Sequence, residues 1–268
     1  MTHSIHPTAV VEAGAKLGAG VKIGPFSLVG ADVTLGDGAE LISHAVVTGR
    51  TTIGARTQIY PFASIGHRPQ DLKYAGELST LEIGADCIIR EHVTVNPGTA
   101  GGGMITAIGD RVLLMVGVHI GHDCHVGNDC IFSNHSGLAG HATADDFMIM
   151  SAHSGAQQFV HLGAHSFIGG MTKVEKDVIP YGTVFGNPAV LSGINLVGLK
   201  RRGFDREAIH TLRTAYRMIF SSEGTLRERV EDAANLFSSE PLVQDVVQFL
   251  ISANERPLTL PRNGTSEV

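Results

Sequence analysis

Starting at Ile5, every sixth residue of this chain is aliphatic: Val11, Leu17, Ile23, Val29, Leu35, Leu41, Val47, Ile53, Ile59 and Ile65 follow in unbroken register. With 43% apolar residues, a run of that length in a fixed register arises by chance about once in 10⁴ trials. The register resumes at Ile83, Ile89 and Val95 and then slips by one residue. It runs again through Ile108, Leu114, Ile120, Val126, Phe132, Leu138, Ala144, Met150, Ala156, Leu162, Ile168 and Val174. Twelve of these 26 positions are followed directly by Gly.

A period of six is neither helical nor simply alternating. It predicts a short strand followed by a sharp corner. The aliphatic residue points inward, and the Gly beside it tolerates corner geometry that a Cβ would resist. Three such units close one triangular turn, and stacked turns make three parallel sheets around a narrow aliphatic core. No turn buries its own core, so neighbours supply the stability. The low aromatic content of 6%, the absence of Trp and the 33 glycines suit such small, regular layers. The spacing does not give the hand of the coil.

Two segments break the pattern, at about 66–82 and 96–107, and loops leaving a rigid solenoid are where function concentrates. Near Pro188 the period turns helical. Ala208, Ile209, Leu212, Ala215, Tyr216, Ile219 and Phe220 share one helical face. Thr225 and Glu228 read as a capping box opening a second helix with Leu226, Val230, Ala233 and Phe237 as its stripe. Val243, Val246, Val247, Leu250 and Ile251 make a third, and 254–268 read as polar and loosely held. The expected plan is all-β followed by all-α, with a coiled domain over 1–190 and a helical domain over 191–268.

The net charge of −6 offers no general case for nucleic acid. No apolar run approaches the ~20 residues needed to span a bilayer, and the N-terminus carries no secretion signal, so a cytoplasmic protein is expected. Cys87, Cys124 and Cys130 have no zinc-finger spacing and read as buried reduced thiols.

Histidines cluster between 119 and 165, most densely in His119-Ile120-Gly121-His122-Asp123-Cys124-His125. Ile120 is an inward position, so His119 and His122 fall on the corner or the outer face. His122 followed by Asp123 suggests a general base beside a carboxylate. No Ser or Cys stands out as a nucleophile, so direct attack without an acyl-enzyme is expected. Two alternatives use the same features. His119, His122, His125 and His141 could bind zinc between subunits, as in trimers resembling the γ-class carbonic anhydrases. A coil could also be a plain scaffold. Neither explains the polar loop at 66–82 together with the tail.

Gln70-Asp71-Leu72-Lys73-Tyr74-Ala75-Gly76-Glu77, His119-Ile120-Gly121-His122-Asp123-Cys124, Leu138-Ala139-Gly140-His141 and Gly198-Leu199-Lys200-Arg201-Arg202-Gly203-Phe204 resemble, in this order, the signature segments of the bacterial UDP-N-acetylglucosamine O-acyltransferases. That resemblance spans nearly the whole chain. It implies a left-handed parallel β-helix of hexapeptide repeats with a C-terminal α-helical domain. It also implies transfer of an (R)-3-hydroxyacyl group from acyl carrier protein to the 3-hydroxyl of UDP-N-acetylglucosamine, the first step of lipid A synthesis. No metal or cofactor is implied. His122 would be the base, Asp123 its orienting partner, and the Gly140 N–H the oxyanion donor. Gln70, Asp71 and Lys73 would position the sugar and phosphates. His141, Gln158, Asn195, Arg201 and Arg202 would complete nucleotide and substrate contacts, and His119 would line the acyl or phosphopantetheine channel. Gly170 stands where the family sets acyl length by bulk, which implies a longer chain. The family works as a homotrimer with sites between subunits. Asn96-Pro97, Gln157 and Pro188 depart from the best-known members, and a 3-amino acceptor sugar is the alternative to the 3-hydroxyl. Residues 200–217 hold six Lys or Arg against two acids, a basic segment suited to docking acidic acyl carrier protein.

Overall fold

The computed structural model describes residues 3–253 and 256–262. The period becomes a parallel β-helix. Ser4 pairs with Lys22 and Ile5 with Ile23, one coil of 18 residues later. Most strands are only two residues long, because the other four residues of each unit turn the corner. The strands stack into three sheets of eleven, nine and eight. All pairings are parallel except the last, where Gly182–Phe185 meets Val190–Ile194 antiparallel. The six-spaced side chains from Ile23 onward fill the axis and are almost completely buried. Ile5 is 44% exposed, since the first coil has a neighbour on one side only.

The role of the glycines differs from the sequence expectation. The residue that takes a left-handed backbone stands three after the inward aliphatic and is rarely Gly. Phe26, Arg56, Asp86, Asp123, His141 and His165 all have φ between 49° and 66°. The Gly next to the aliphatic is needed for close approach between coils. A Cβ on Gly24 would lie 1.8 Å from the Ile42 carbonyl oxygen, and one on Gly54 2.3 Å from the Gly84 carbonyl carbon.

Both interruptions of the period leave the same edge of the prism. One joins Ser64–Ile65 to Thr80–Ile83, and the other joins Thr94–Val95 to Ile105–Ile108. Their strands resume at Thr80 and Ile105, so the loops are shorter than the sequence suggested. The same edge in the next two coils is formed by 121–124 and 139–142, the segments with the histidines.

Four helices follow: α1 (Leu196–Arg201), α2 (Arg206–Ile219), α3 (Leu226–Leu236) and α4 (Pro241–Ser252). The three expected stripes correspond to α2, α3 and α4, and the Thr225–Glu228 capping box is formed. The 6 residues of α1 make fewer than two turns, too few to show a period, so it was not legible. In α4, Phe249 turns inward against His161 while Ile251 is 55% exposed, the reverse of the expected stripe. The tail is not loose over its described part. Asp177 N donates to Pro257 O at 2.9 Å, Thr259 N to Asp177 O at 2.8 Å and Leu191 N to Leu260 O at 3.2 Å. Residues 254, 255 and 263–268 of that expectation lie outside the described residues. No described helix is long and apolar enough to cross a membrane.

Candidate active site

His122 and Asp123 sit at the corner between the strands His119–Ile120 and His125–Val126. Ile120 is buried in the axis, which turns the two following polar residues toward the edge. His122 Nδ1 is 2.7 Å from Asp123 Oδ2. A carboxylate can only accept, so Nδ1 is the donor, and in the neutral ring the lone pair then lies on Nε2. The Asp123 side chain is fully buried, while His122 remains 17% exposed. Thr99, which the sequence pattern did not single out, donates from N to Asp123 Oδ1 at 2.8 Å and from Oγ1 to Oδ2 at 2.6 Å.

The next coil completes the group. A Cβ on Gly140 would lie 2.6 Å from His122 Cε1 and Nε2, so glycine is what lets the imidazole rest there. The His141 ring meets His122 edge-on at 4.9 Å, and Phe159 stacks on His141 at 4.5 Å. Burial lowers the pKa of His141, against an opposing pull from Asp123. His119 Nδ1 lies 2.7 Å from Thr94 Oγ1. Burial, and then the neighbouring His122, lower the His119 pKa.

The first loop reaches this group electrostatically. Asp71 raises and Lys73 lowers the proton affinity of His141. Gln70 and Lys73 are exposed, and Asp71 is half-buried, with Oδ1 accepting from Lys73 N at 3.0 Å. The two loops hold each other: Asn96 Nδ2 donates to His67 O at 3.1 Å, and Ala100 N to Glu77 Oε1 at 2.9 Å. Asn96 thus anchors the loop that carries Lys73.

The remaining predicted residues lie apart. Gln158 is exposed on the same edge, one coil beyond Gly140. Gly170 is at a different edge, between Phe167–Ile168 and Lys173–Val174. An added Cβ there meets only the Ala152 carbonyl oxygen, at 3.5 Å. Asn195 caps α1 by accepting from Gly198 N at 2.9 Å, and its Nδ2 donates to His165 O at 2.9 Å. Arg202 Nη2 donates to Phe147 O at 2.7 Å with the guanidinium 5.3 Å from that ring's centroid. Arg201 is exposed. Phe147 and His165 belong to the third edge, so one chain spreads the predicted residues over all three.

Burial pushes the thiols of Cys124 and Cys130 up to about 12 and raises that of Cys87, so all three stay protonated and inert. Of the four histidines considered for zinc, the structure gathers only His122 and His141, with Asp123, within 4.8 Å of one another. His119 is turned to Thr94, and His125 is exposed on the neighbouring sheet. Such a donor set is chemically able to take a cation, but both Asp123 oxygens already accept hydrogen bonds.

Coils of this kind, with a His–carboxylate pair and a glycine-lined imidazole on one edge, define a hexapeptide-repeat transferase. Residues 106–140 match the bacterial transferase hexapeptide model, and 177–259 match domain 2 of UDP-N-acetylglucosamine O-acyltransferase. Among curated proteins, the acyl-[acyl-carrier-protein]–UDP-N-acetylglucosamine O-acyltransferases of Rhizobium johnstonii and Sinorhizobium fredii are 46% and 44% identical. Each match covers 97% of this chain and 96% of the relative. The solved UDP-N-acetylglucosamine acyltransferase of Francisella novicida superposes with a TM-score of 0.92 at 35% identity, over 97% of this chain and 95% of that one. The Moraxella catarrhalis O-acyltransferase gives 0.91 at 40%, over 95% and 99%. The chain belongs to the acyl-[acyl-carrier-protein]–UDP-N-acetylglucosamine O-acyltransferase family, and its coil is the left-handed β-helix.

Proposed function

We propose that this enzyme moves an (R)-3-hydroxyacyl group from acyl carrier protein to the 3-hydroxyl of UDP-N-acetylglucosamine, the first step of lipid A synthesis, in the cytoplasm. His122 Nε2 takes the proton of the hydroxyl as its oxygen attacks the thioester carbon. The tetrahedral oxyanion is met by the Gly140 N–H, a kind of donor worth about 10²–10³ in rate. Collapse expels the phosphopantetheine thiolate, and the imidazolium returns its proton to sulfur. Asp123 stays ionised throughout, holding the ring's tautomer and stabilising the imidazolium.

The observation that carries this reading is the 2.7 Å pair of His122 Nδ1 and Asp123 Oδ2, with Gly140 against the free face of the ring. Lys73, with Gln70 and Asp71, suits the sugar diphosphate, since a lysine is a mobile point charge for phosphate oxygens. His141, Gln158 and His119 border the same edge. Gly170 lies on a second edge, and Asn195 and Arg202 bond to the third, with Arg201 exposed beside Arg202, which supports a homotrimer whose sites join two copies. The basic segment from Lys200 to Arg217 suits an acidic carrier protein. The open position at Gly170 favours a longer acyl chain.

Acyl transfer from 3-hydroxyacyl carrier protein to UDP-N-acetylglucosamine, wild type against His122→Ala, tests the mechanism. A drop of about 10²–10⁴-fold is expected, and full activity in the variant would remove His122 as the base. Zinc in stoichiometric amount, with activity lost on chelation, would favour the metal alternative.

A further inference from the structure

We propose that Thr99 is a positioning residue of the acyl transfer: it holds the Asp123 carboxylate in the one orientation that directs His122. The inference rests on the His122 mechanism above and deepens it.

The Asp123 carboxylate has no contact with solvent and receives three donors. Two come from Thr99, its N–H on Oδ1 at 2.8 Å and its hydroxyl on Oδ2 at 2.6 Å. The third is His122 Nδ1. A carboxylate held through one oxygen can swing about its Cβ–Cγ bond. Two donors from one residue, engaging separate oxygens, fix the plane. Oδ2 then points at the imidazole without having to search for it, and orientation of this kind is what a base needs in the transition state.

The surroundings press the same way. Thr106 Oγ1, on the strand that follows the loop, accepts from Asp123 N at 2.7 Å. A Cβ on Gly102 would lie 2.1 Å from Asp123 Cγ, so the loop backbone covers the carboxylate with no room for water between. The loop has a matching oddity in the sequence. From Val95 to Ile108 the chain takes thirteen residues where Ile120 to Val126 takes six. The added length is the segment that delivers Thr99 to an aspartate 24 positions later.

Thr99→Val keeps the shape and the backbone N–H but loses the hydroxyl. Thr99→Ala loses the same donor with less volume, so a folding defect in one variant leaves the other to read. Thr99→Ser keeps the donor. Steady-state kinetics on the assembled enzyme are expected to give a kcat lower by roughly ten- to a hundred-fold for Val and Ala. KM for both substrates should stay within about threefold, and Ser should return most of the loss. In an Asp123→Ala background the Val substitution should cost little more, because the group it positions is gone. Wild-type kcat in both Val and Ala would overturn the proposal, as would a loss that persists undiminished beside Asp123→Ala. A readout independent of turnover separates this from failure of the acyl-transfer reading itself. The Nδ1–H resonance of His122, observed by NMR on histidine-labelled protein and assigned by its absence in His122→Ala, should move in Thr99→Val and hold in Thr99→Ser. An unmoved resonance would sink the role of Thr99, whatever the reaction.

Discussion

His122 Nδ1 and Asp123 Oδ2 lie 2.7 Å apart on adjacent residues at one β-helix corner. The corner turns left-handed at Asp123, φ 58°, and Thr99 engages both oxygens of the carboxylate that meets the preceding ring. Replacing Asp123 by Asn keeps the volume but offers an amide where an anion stood, and so removes the stabilisation of the imidazolium. We expect kcat to fall by about 10²–10⁴-fold, measured by steady-state acyl transfer, with the thermal midpoint little changed.

Gly140→Ala tests the packing around the proposed base. The new Cβ would sit 2.6 Å from the ring atoms Cε1 and Nε2, so the imidazole has to move by a few tenths of an ångström or more. Since small misplacement of a catalytic group costs about 10²-fold, kcat/KM should drop by that order while circular dichroism remains that of the wild type.

Gly24→Ala tests the close approach between coils far from the site. Its Cβ would meet the Ile42 carbonyl oxygen at 1.8 Å, and this is backbone whose N–H is bonded to Ile59 O of the next coil, so it cannot step aside as a side chain could. A loss of about 2–4 kcal/mol is expected, read from denaturant midpoints at one fixed protein concentration. A neutral result would mean that the coil spacing is softer than the parallel register implies.

Gly170→Met probes acyl length. The exposed corner has room for a side chain, since only the Ala152 carbonyl oxygen comes within 4 Å of an added Cβ. If this corner borders the acyl channel, relative rates on 10-, 12- and 14-carbon donors should shift toward the shorter chain. A preference for ten carbons already in the wild type would defeat the longer-chain proposal.

His165 supplies a pH dependence of stability. Its ring stacks between Phe147 and Tyr181 and meets Phe204 edge-on. Burial, and then Arg202, lower its pKa from 6.5 to about 4, against weaker pulls from Asp146 and Asp245. Between these values the unfolded chain takes a proton that the folded chain refuses. Stability therefore rises with pH across that window and is lost as the pH falls through it. After discounting for partial exposure, about 1–2 kcal/mol is at stake. His165→Phe, which preserves the aromatic stack, should flatten the fall in thermal midpoint between pH 6.5 and 4.5. An unchanged slope would show that other groups govern it.

The repeat was legible because each six-residue unit carries its own instruction: one inward aliphatic residue and a corner. His122 and Asp123 were legible for a similar reason, being neighbours whose phase is set by Ile120. The helices α2, α3 and α4 showed their stripes over three or more turns, whereas α1 was too short to do so. Ile251 and Phe249 exchanged places because only the packing of α4 on His161 decides which side of the stripe is covered.

By itself, then, the sequence determined the coil, its parallel sheets and the edge residues of each corner, among them the adjacent His122 and Asp123 proposed as base and partner. Those are local properties repeated many times, so that single exceptions do not alter them. Only the tertiary structure decided that two irregular loops leave the same edge and that Thr99 closes on Asp123. It also decided that Gly170 and Arg202 stand on other edges than His122. These relations join residues tens of positions apart through the stacking of coils, and no periodicity along the chain encodes how far a loop reaches once it has left the repeat.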